Sequence, residues 1–104
     1  MTTAMTAAAQ AHALRAAAAF IEDAQMPHLT VSVSGDGTII IHVEPGAGPP
    51  AARTQAVAAM AAATGAGSLD RATYRTWSAV HSGTGRISGH DVRIGTHISE
   101  QESQ

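Results

Sequence analysis

Histidine offers the widest chemistry in this chain of 104 residues, which contains six histidines and neither cysteine nor lysine. Neutral imidazole is a common metal ligand, and His81, His90 and His97 lie near Asp91 in the second half of the sequence. Their spacing matches no zinc motif, because there is no HExxH sequence and no histidine pair four residues apart. We therefore expect no metal ion and no other cofactor.

Serine offers a second route to chemistry, since Ser78 or Ser82 can be combined on paper with His81 or His90 and with Asp91. No G-x-S-x-G sequence surrounds either serine, and that context is what marks a serine nucleophile. The absence of cysteine and lysine also excludes thiolate, Schiff-base and Walker-type chemistry. The sequence therefore assigns no catalytic residue and favours a binding role over catalysis.

The glycines of HSGTGRISG, at positions 83, 85 and 89, resemble the spacing of a phosphate-binding loop only superficially. Such a loop leads into a helix, whose N-terminus binds the anion. Here an alternating, strand-like segment follows. The spacing therefore predicts a β-bulge and a hairpin turn.

Arginine is concentrated between residues 71 and 97, where four arginines and a single acidic residue give a local charge of +3. An open sheet face with arginines beside Tyr74 and Trp77 is suited to phosphates and stacked bases. An opposing interpretation places Trp77 in the core with Ile87, which has the same parity along a strand. Nucleic-acid binding is the alternative function, and its residues would be Arg71, Arg75, Arg86 and Arg93.

Two segments have the periodicity of helices. Residues Ala7 to Ala24 place apolar side chains on one stripe, and Pro27 ends this helix. Residues Ala51 to Ala63 form a second helix, with Val57 and Met60 facing inward.

Alternating segments predict the strands. A hairpin joins His28–Ser34 to Thr38–Glu44 and buries Ile39, Ile41 and Val43, whereas Ile40, His42 and Glu44 point outward. A third strand begins at Leu69, runs through Ser82 and a glycine bulge to a turn near Gly89, and pairs with a fourth at Val92–Ile98.

This order predicts an α+β fold of αββαββ type, with a four-stranded, mainly antiparallel sheet and both helices on one face. We expect one domain over residues 1–104, with flexible ends at 1–6 and 99–104. A net charge of −2, no signal-peptide pattern and no long apolar segment predict a cytoplasmic protein that makes no membrane contact.

The uncovered sheet face is the predicted binding surface. We expect a non-enzymatic binding or assembly module that pairs with a protein partner or with itself through this face or a sheet edge. The predicted partner-binding residues are Ile40, His42, Arg75, Arg93 and His97.

Overall fold

The computed structural model describes residues 6–26 and 28–99. Its α+β class, with two helices and one sheet, is the class that the sequence predicts, but four strands follow the second helix where the predicted αββαββ order has two. A single 3₁₀ turn, Pro45–Ala47, precedes the second helix. The elements in chain order are α1 (Ala7–Ala24), β1 (Leu29–Val33), β2 (Ile39–Val43), α2 (Pro50–Thr64), β3 (Leu69–Thr73), β4 (Trp77–Ser82), β5 (Gly85–Ile87) and β6 (His90–Ser99).

The sheet is mixed and has six strands, in the order β1-β2-β6-β4-β3, with β5 also paired to β6. The prediction of a four-stranded sheet is therefore wrong in the number of strands. The pairing of β2 with β6 is parallel, and the other pairings are antiparallel. The segment predicted as one strand from Leu69 turns back at Arg75 and Thr76, where the Tyr74 N–H donates to the Trp77 carbonyl oxygen at 2.8 Å.

The first hairpin is confirmed, with its predicted inward and outward residues. At its turn, the Ser34 hydroxyl and the Thr38 N–H donate to the Asp36 carboxylate, and these hydrogen bonds lower the pKa of Asp36 to about 2. The β5–β6 turn also lies where the sequence places it. It is formed by Ser88 and Gly89, both with positive φ, as a two-residue hairpin turn requires.

One core lies between the sheet and the two helices. Ile39, Ile41 and Val43 of β2 are fully buried against Val57 and Met60 of α2. In α1 the small side chains Ala13 and Ala17 join the same cluster, so both helices pack on one face of the sheet. Neither described helix is long and apolar enough to cross a membrane.

Trp77 lies outside this core, contrary to the prediction that it shares a core face with Ile87. Both Ser82 and Gly85 are buried, although they are three residues apart, so one extra residue lies between β4 and β5. This break reverses the parity: Ile87 points inward, whereas Trp77 points outward and is 38% exposed. The glycine bulge was predicted from the sequence, and such a bulge is what breaks the parity that Trp77 and Ile87 would otherwise share.

Arg53 is 1% exposed and crosses the core from α2 to β6. Its Nη1 donates to the Gly48 carbonyl oxygen at 2.6 Å, and its Nη2 to the His97 carbonyl oxygen at 3.1 Å. Its Nε donates to Thr96 Oγ1 at 3.3 Å, and that hydroxyl donates to the Val43 carbonyl oxygen at 2.8 Å. Because a guanidinium retains its charge when buried, these hydrogen bonds are needed to offset its desolvation.

At the chain ends, two residues that we expected to be flexible belong to regular elements. Thr6 caps α1, where its hydroxyl accepts a hydrogen bond from the Ala9 N–H at 3.1 Å. Ser99 is the last residue of β6. The rest of those predicted flexible ends, residues 1–5 and 100–104, lies outside the described residues.

Gly85 is a position where a methyl group does not fit. A Cβ there would lie 2.6 Å from the Thr64 Cβ and 2.9 Å from the Thr64 carbonyl oxygen. We expect Gly85→Ala to lower the free energy of unfolding by about 1–3 kcal/mol, because α2 must move away from the sheet. Urea denaturation measures this. Gly35→Ala, with nothing within 4 Å of the added Cβ, is the matched control and should change stability far less.

Replacing Arg53 by alanine should cost about 3 kcal/mol, because it leaves buried acceptors unpaired and opens a cavity. Arg15 of α1 is exposed, so Arg15→Ala provides a control in which the same side chain is removed from the surface. Equal urea midpoints for the two variants would contradict the structural role of Arg53.

Candidate functional site

The outer face is the side of the sheet opposite the helices. Strand alternation fixes its residues, since Ile40 pairs in register with Arg93, His42 with Gly95 and Ala79 with His97. These pairs place side chains from three neighbouring strands on one surface. The face continues at the β3–β4 hairpin with Ala72, Tyr74 and Trp77.

A shallow groove of about 340 Å³ crosses this face, and we refer to it as the outer groove. Gly95, on the central strand, lies in register between His42 on β2 and His81 on β4. Because Gly95 has no side chain, the outer groove has a depression at this position, between the imidazoles of His42 and His81. A Cβ added to it would lie 3.1 Å from the Val80 carbonyl oxygen, so even alanine would press on β4.

Four rings form a continuous row across the strands, which we call the ring row: Tyr74, Trp77, His97 and His42. Tyr74 stacks on Trp77 with centroids 4.2 Å apart and an interplanar angle of 18°. The Trp77 and His97 centroids are 4.8 Å apart, as are those of His97 and His42, and both pairs are inclined. Tyr74 and Trp77 are 51% and 38% exposed, so this row presents aromatic surface to solvent.

Glu44 anchors the end of the ring row at His42. Its carboxylate accepts hydrogen bonds from the Thr30 hydroxyl and from His42 Nδ1, the latter at 3.1 Å. Since a carboxylate only accepts, Nδ1 of His42 carries the proton. The other nitrogen, Nε2, is buried and has no hydrogen-bond partner among the described residues.

Two pKa values at the ring row are shifted downward, those of His97 and of its neighbour Glu44. Partial burial, and secondarily the nearby charge of His42, lower the pKa of His97 from its ordinary value of 6.5. The hydrogen bonds from Thr30 and His42 lower the pKa of Glu44 below 4.5. Near neutral pH, His97 is therefore an uncharged ring and Glu44 a carboxylate.

Arg93 is the one permanently charged side chain among the described residues that line the outer groove. It is exposed and has no ion pair or hydrogen bond with the residues that the structure describes. By contrast, Arg86 donates to the Asp91 carboxylate at 3.3 Å and to the Gly89 carbonyl oxygen at 2.8 Å. Arg93 is thus available to an anion at the end of the groove away from the tryptophan.

The structure brings together four of the five predicted partner-binding residues. Ile40, His42, Arg93 and His97 line the outer groove, and Ile40 is 40% exposed. Arg75 does not line it: it lies in the turn between β3 and β4, beside a separate depression that includes Thr76 and Ile98.

The four arginines of the alternative function are dispersed. Arg93 is on the outer face, whereas Arg71 pairs in register with Val80 and therefore points to the helix side. Arg75 and Arg86 lie in separate β-hairpins. No single surface carries all four.

The histidines do not converge on a metal-binding arrangement. Within residues 6–26 and 28–99, no group of three or more histidine or acidic side chains is placed to hold an ion. His90 points to the helix side, and its Nε2 is 2.7 Å from Nδ1 of His12 on α1. His81 and His97 are on the outer face with the ring row.

Sequence reasoning missed His81 and Gly95 as groove residues, and it placed Tyr74 and Trp77 on the open face only in the nucleic-acid alternative. The signal for Gly95 was present, because a glycine at an outward position of an alternating strand indicates a close approach or a depression. The interpretation that placed Trp77 in the core carried parity across the bulge, and the exposure of Trp77 contradicts it. The available chemistry is ring stacking and anion binding, with no nucleophile in the ring row.

The lowered pKa of His97 predicts how acid affects the fold. The unfolded chain takes up a proton near pH 6.5, whereas folded His97 resists protonation until the pH falls further. Stability should therefore decrease as the pH falls below about 6.5 and through the lowered pKa of His97. Imidazole NMR titration should place the His97 midpoint below 6.5.

His42→Gln should raise that midpoint by removing the neighbouring charge, but burial should keep it below 6.5. His12→Gln, on the other side of the sheet, should leave it unchanged. A wild-type midpoint at or above 6.5 would contradict the partial desolvation of the His97 ring.

Comparison with protein-family models, with curated proteins and with solved structures gives no significant match. The role of the outer groove is therefore argued from its geometry.

Proposed function

We propose that this domain is a non-enzymatic protein-binding module whose outer groove binds a short acidic segment that presents one bulky apolar side chain. The observation that carries this proposal is the ring row. The chain contains one tryptophan and one tyrosine, and both are exposed on the same surface, stacked on each other.

Exposed aromatic side chains support a binding role because they retain apolar surface that a partner can remove from water. Burying about 100 Å² of such surface contributes roughly 2.5 kcal/mol before the costs of association. Tryptophan, tyrosine and arginine are also the residue types that contribute most at protein interfaces. The outer groove contains all three: Trp77, Tyr74 and Arg93.

The charge of the groove supports an acidic ligand. Arg93 lies four residues before His97 on β6, which corresponds to about 13 Å along a strand. An extended segment of about four residues therefore reaches from the ring row to the guanidinium. A carboxylate at that end gains a charge-assisted hydrogen bond without breaking an existing ion pair of Arg93.

The size of the face supports a short segment over a second copy of this chain. Five strands and about five residues per strand give a surface of roughly 24 by 17 Å, or about 400 Å². A standard protein interface buries about 800 Å² on each partner. A linear segment needs less area, because it can sink one side chain into the groove.

Nucleic acid is the second candidate, and the arrangement of charge favours it less. A single strand carries a phosphate beside every base, so its binding surfaces combine stacked rings with a track of cations. Here the ring row is accompanied in the outer groove by Arg93, while Arg71 points to the opposite side of the sheet.

Trp77 allows a direct test, because it is the chain's single tryptophan and its fluorescence reports on the groove. The probes are acetyl-Glu-Glu-Leu-Glu-Glu-amide, the same peptide with lysine in place of glutamate, and a short oligothymidylate. We expect saturable fluorescence changes with the acidic peptide and binding at least tenfold weaker with the basic one.

Arg93→Gln should weaken binding of the acidic peptide about tenfold, the scale of one charge-assisted hydrogen bond. Ile40→Glu should abolish it by adding a like charge to the groove. Arg71→Gln removes the same charge from the other side of the sheet and should have no effect. No response to the acidic peptide, or equal losses in the two arginine variants, would overturn the proposal; tighter binding of oligothymidylate would favour nucleic acid.

A further inference from the structure

Within residues 6–26 and 28–99, β1 is an edge strand, and the main-chain groups that it leaves unpaired can be identified from its ladder with β2. The Ser34 N–H donates to the Thr38 carbonyl oxygen, and the Glu44 N–H to that of His28, both at 2.9 Å. Hydrogen-bonded pairs alternate along an antiparallel ladder, so residues 28, 30, 32 and 34 point their main-chain groups at β2. Leu29, Val31 and Val33 therefore point theirs away from β2, at the edge of the sheet.

The two edges of the sheet differ in how they are protected. The opposite edge is β3, Leu69–Thr73, which carries the charged side chains Asp70 and Arg71. The β1 sequence LTVSV has no charge, no proline and no glycine, and its five residues pair with β2 in regular register. Natural proteins protect free edges with charges, prolines or bulges, and β1 has none of these.

Helix α1 extends this uncharged strip into the second layer. Phe20 and Asp23 face α2 across a groove, and Ala13 and Ala17 face the core. Successive residues of a helix are rotated by about 100° about its axis. Leu14 and Ile21 therefore lie next to the core-facing alanines on the helix surface, on the side away from α2. Because α1 lies nearest β1 and α2 nearest β6, that side is next to the β1 edge. Leu14 is 43% exposed there.

We propose that the β1 edge is the interface of a two-fold dimer, in which β1 pairs antiparallel with its own copy and the two α1 helices meet through Leu14 and Ile21. This surface is separate from the outer groove, and the proposal does not depend on the proposed function. It joins the two sheets into one continuous sheet.

The strip is self-complementary, which favours a second copy over an unrelated strand. A two-fold axis at Val31 places Val31 opposite its counterpart and Leu29 opposite Val33 of the partner. These three pairs provide about six main-chain hydrogen bonds, two for each pair. Since Leu29–Val33, Leu14 and Ile21 carry no charge, the two-fold axis brings no like charges together.

Light scattering on a sizing column, over a range of concentrations at low and high salt, tests the proposal with the full chain. We expect a mass of about twice the 10.5 kDa of the chain, unchanged by salt because the contact is apolar. Ser32→Lys and Leu14→Glu change exposed positions beside the strand edge and on α1. Each should raise the dissociation constant at least tenfold.

Thr73→Lys adds the same charge to the exposed end of β3 and should leave the dimer intact. A monomeric wild type at all concentrations would overturn the proposal. So would a dimer that both Ser32→Lys and Leu14→Glu leave unchanged, or one that Trp77→Ala dissociates, because the interface would then lie elsewhere. The dimer is measured without peptide, and the peptide titration uses the groove variants, so the two proposals fail separately.

Discussion

The parallel pairing of β2 with β6 is the constraint on which the rest of the structure depends. It joins strands from opposite halves of the chain, residues 39–43 and 92–96, and a contact of such sequence separation carries a large loop-closure entropy. Arg53 and Thr96 stabilise the β2–β6 pairing from the core side of the sheet. Their hydrogen bonds connect α2 to the Val43 carbonyl oxygen of β2 and the His97 carbonyl oxygen of β6. A buried cation at this point favours one register, because a slip would leave its donors and their acceptors unpaired.

The outer groove follows from that register. The parallel pairing places His42 beside Gly95, and the antiparallel pairing on the other side of β6 places His81 beside the same glycine. A shift of the β6 register by one residue would turn Gly95 inward and bring isoleucines to the surface. The Arg53 hydrogen bond to the His97 carbonyl oxygen also fixes the main chain under the centre of the ring row. The core and the groove are therefore two sides of one set of main-chain contacts.

How far sequence predicts this molecule depends on whether each signal is local. Alternation in HLTVSVSGDGTIIIHV fixes the first hairpin and the outward position of Ile40 and His42, because a strand with one buried face has only one stable register. The parallel partner of β2 is not local, and no residue in either strand specifies it. Arg53 was not among the residues predicted to face the core, although the structure buries it. The turn at Arg75 and Thr76 has none of the glycine, proline or asparagine that marks most turns, so β3 and β4 were merged.

The two proposed surfaces are connected through Thr30. It belongs to β1, the strand that forms the proposed dimer edge, and its hydroxyl donates to Glu44, which also accepts from His42 at the end of the ring row. In the proposed dimer, a second copy would pair with this same strand on the side away from β2. One short series of hydrogen bonds therefore connects the strand of the proposed dimer edge to the ring row of the proposed groove.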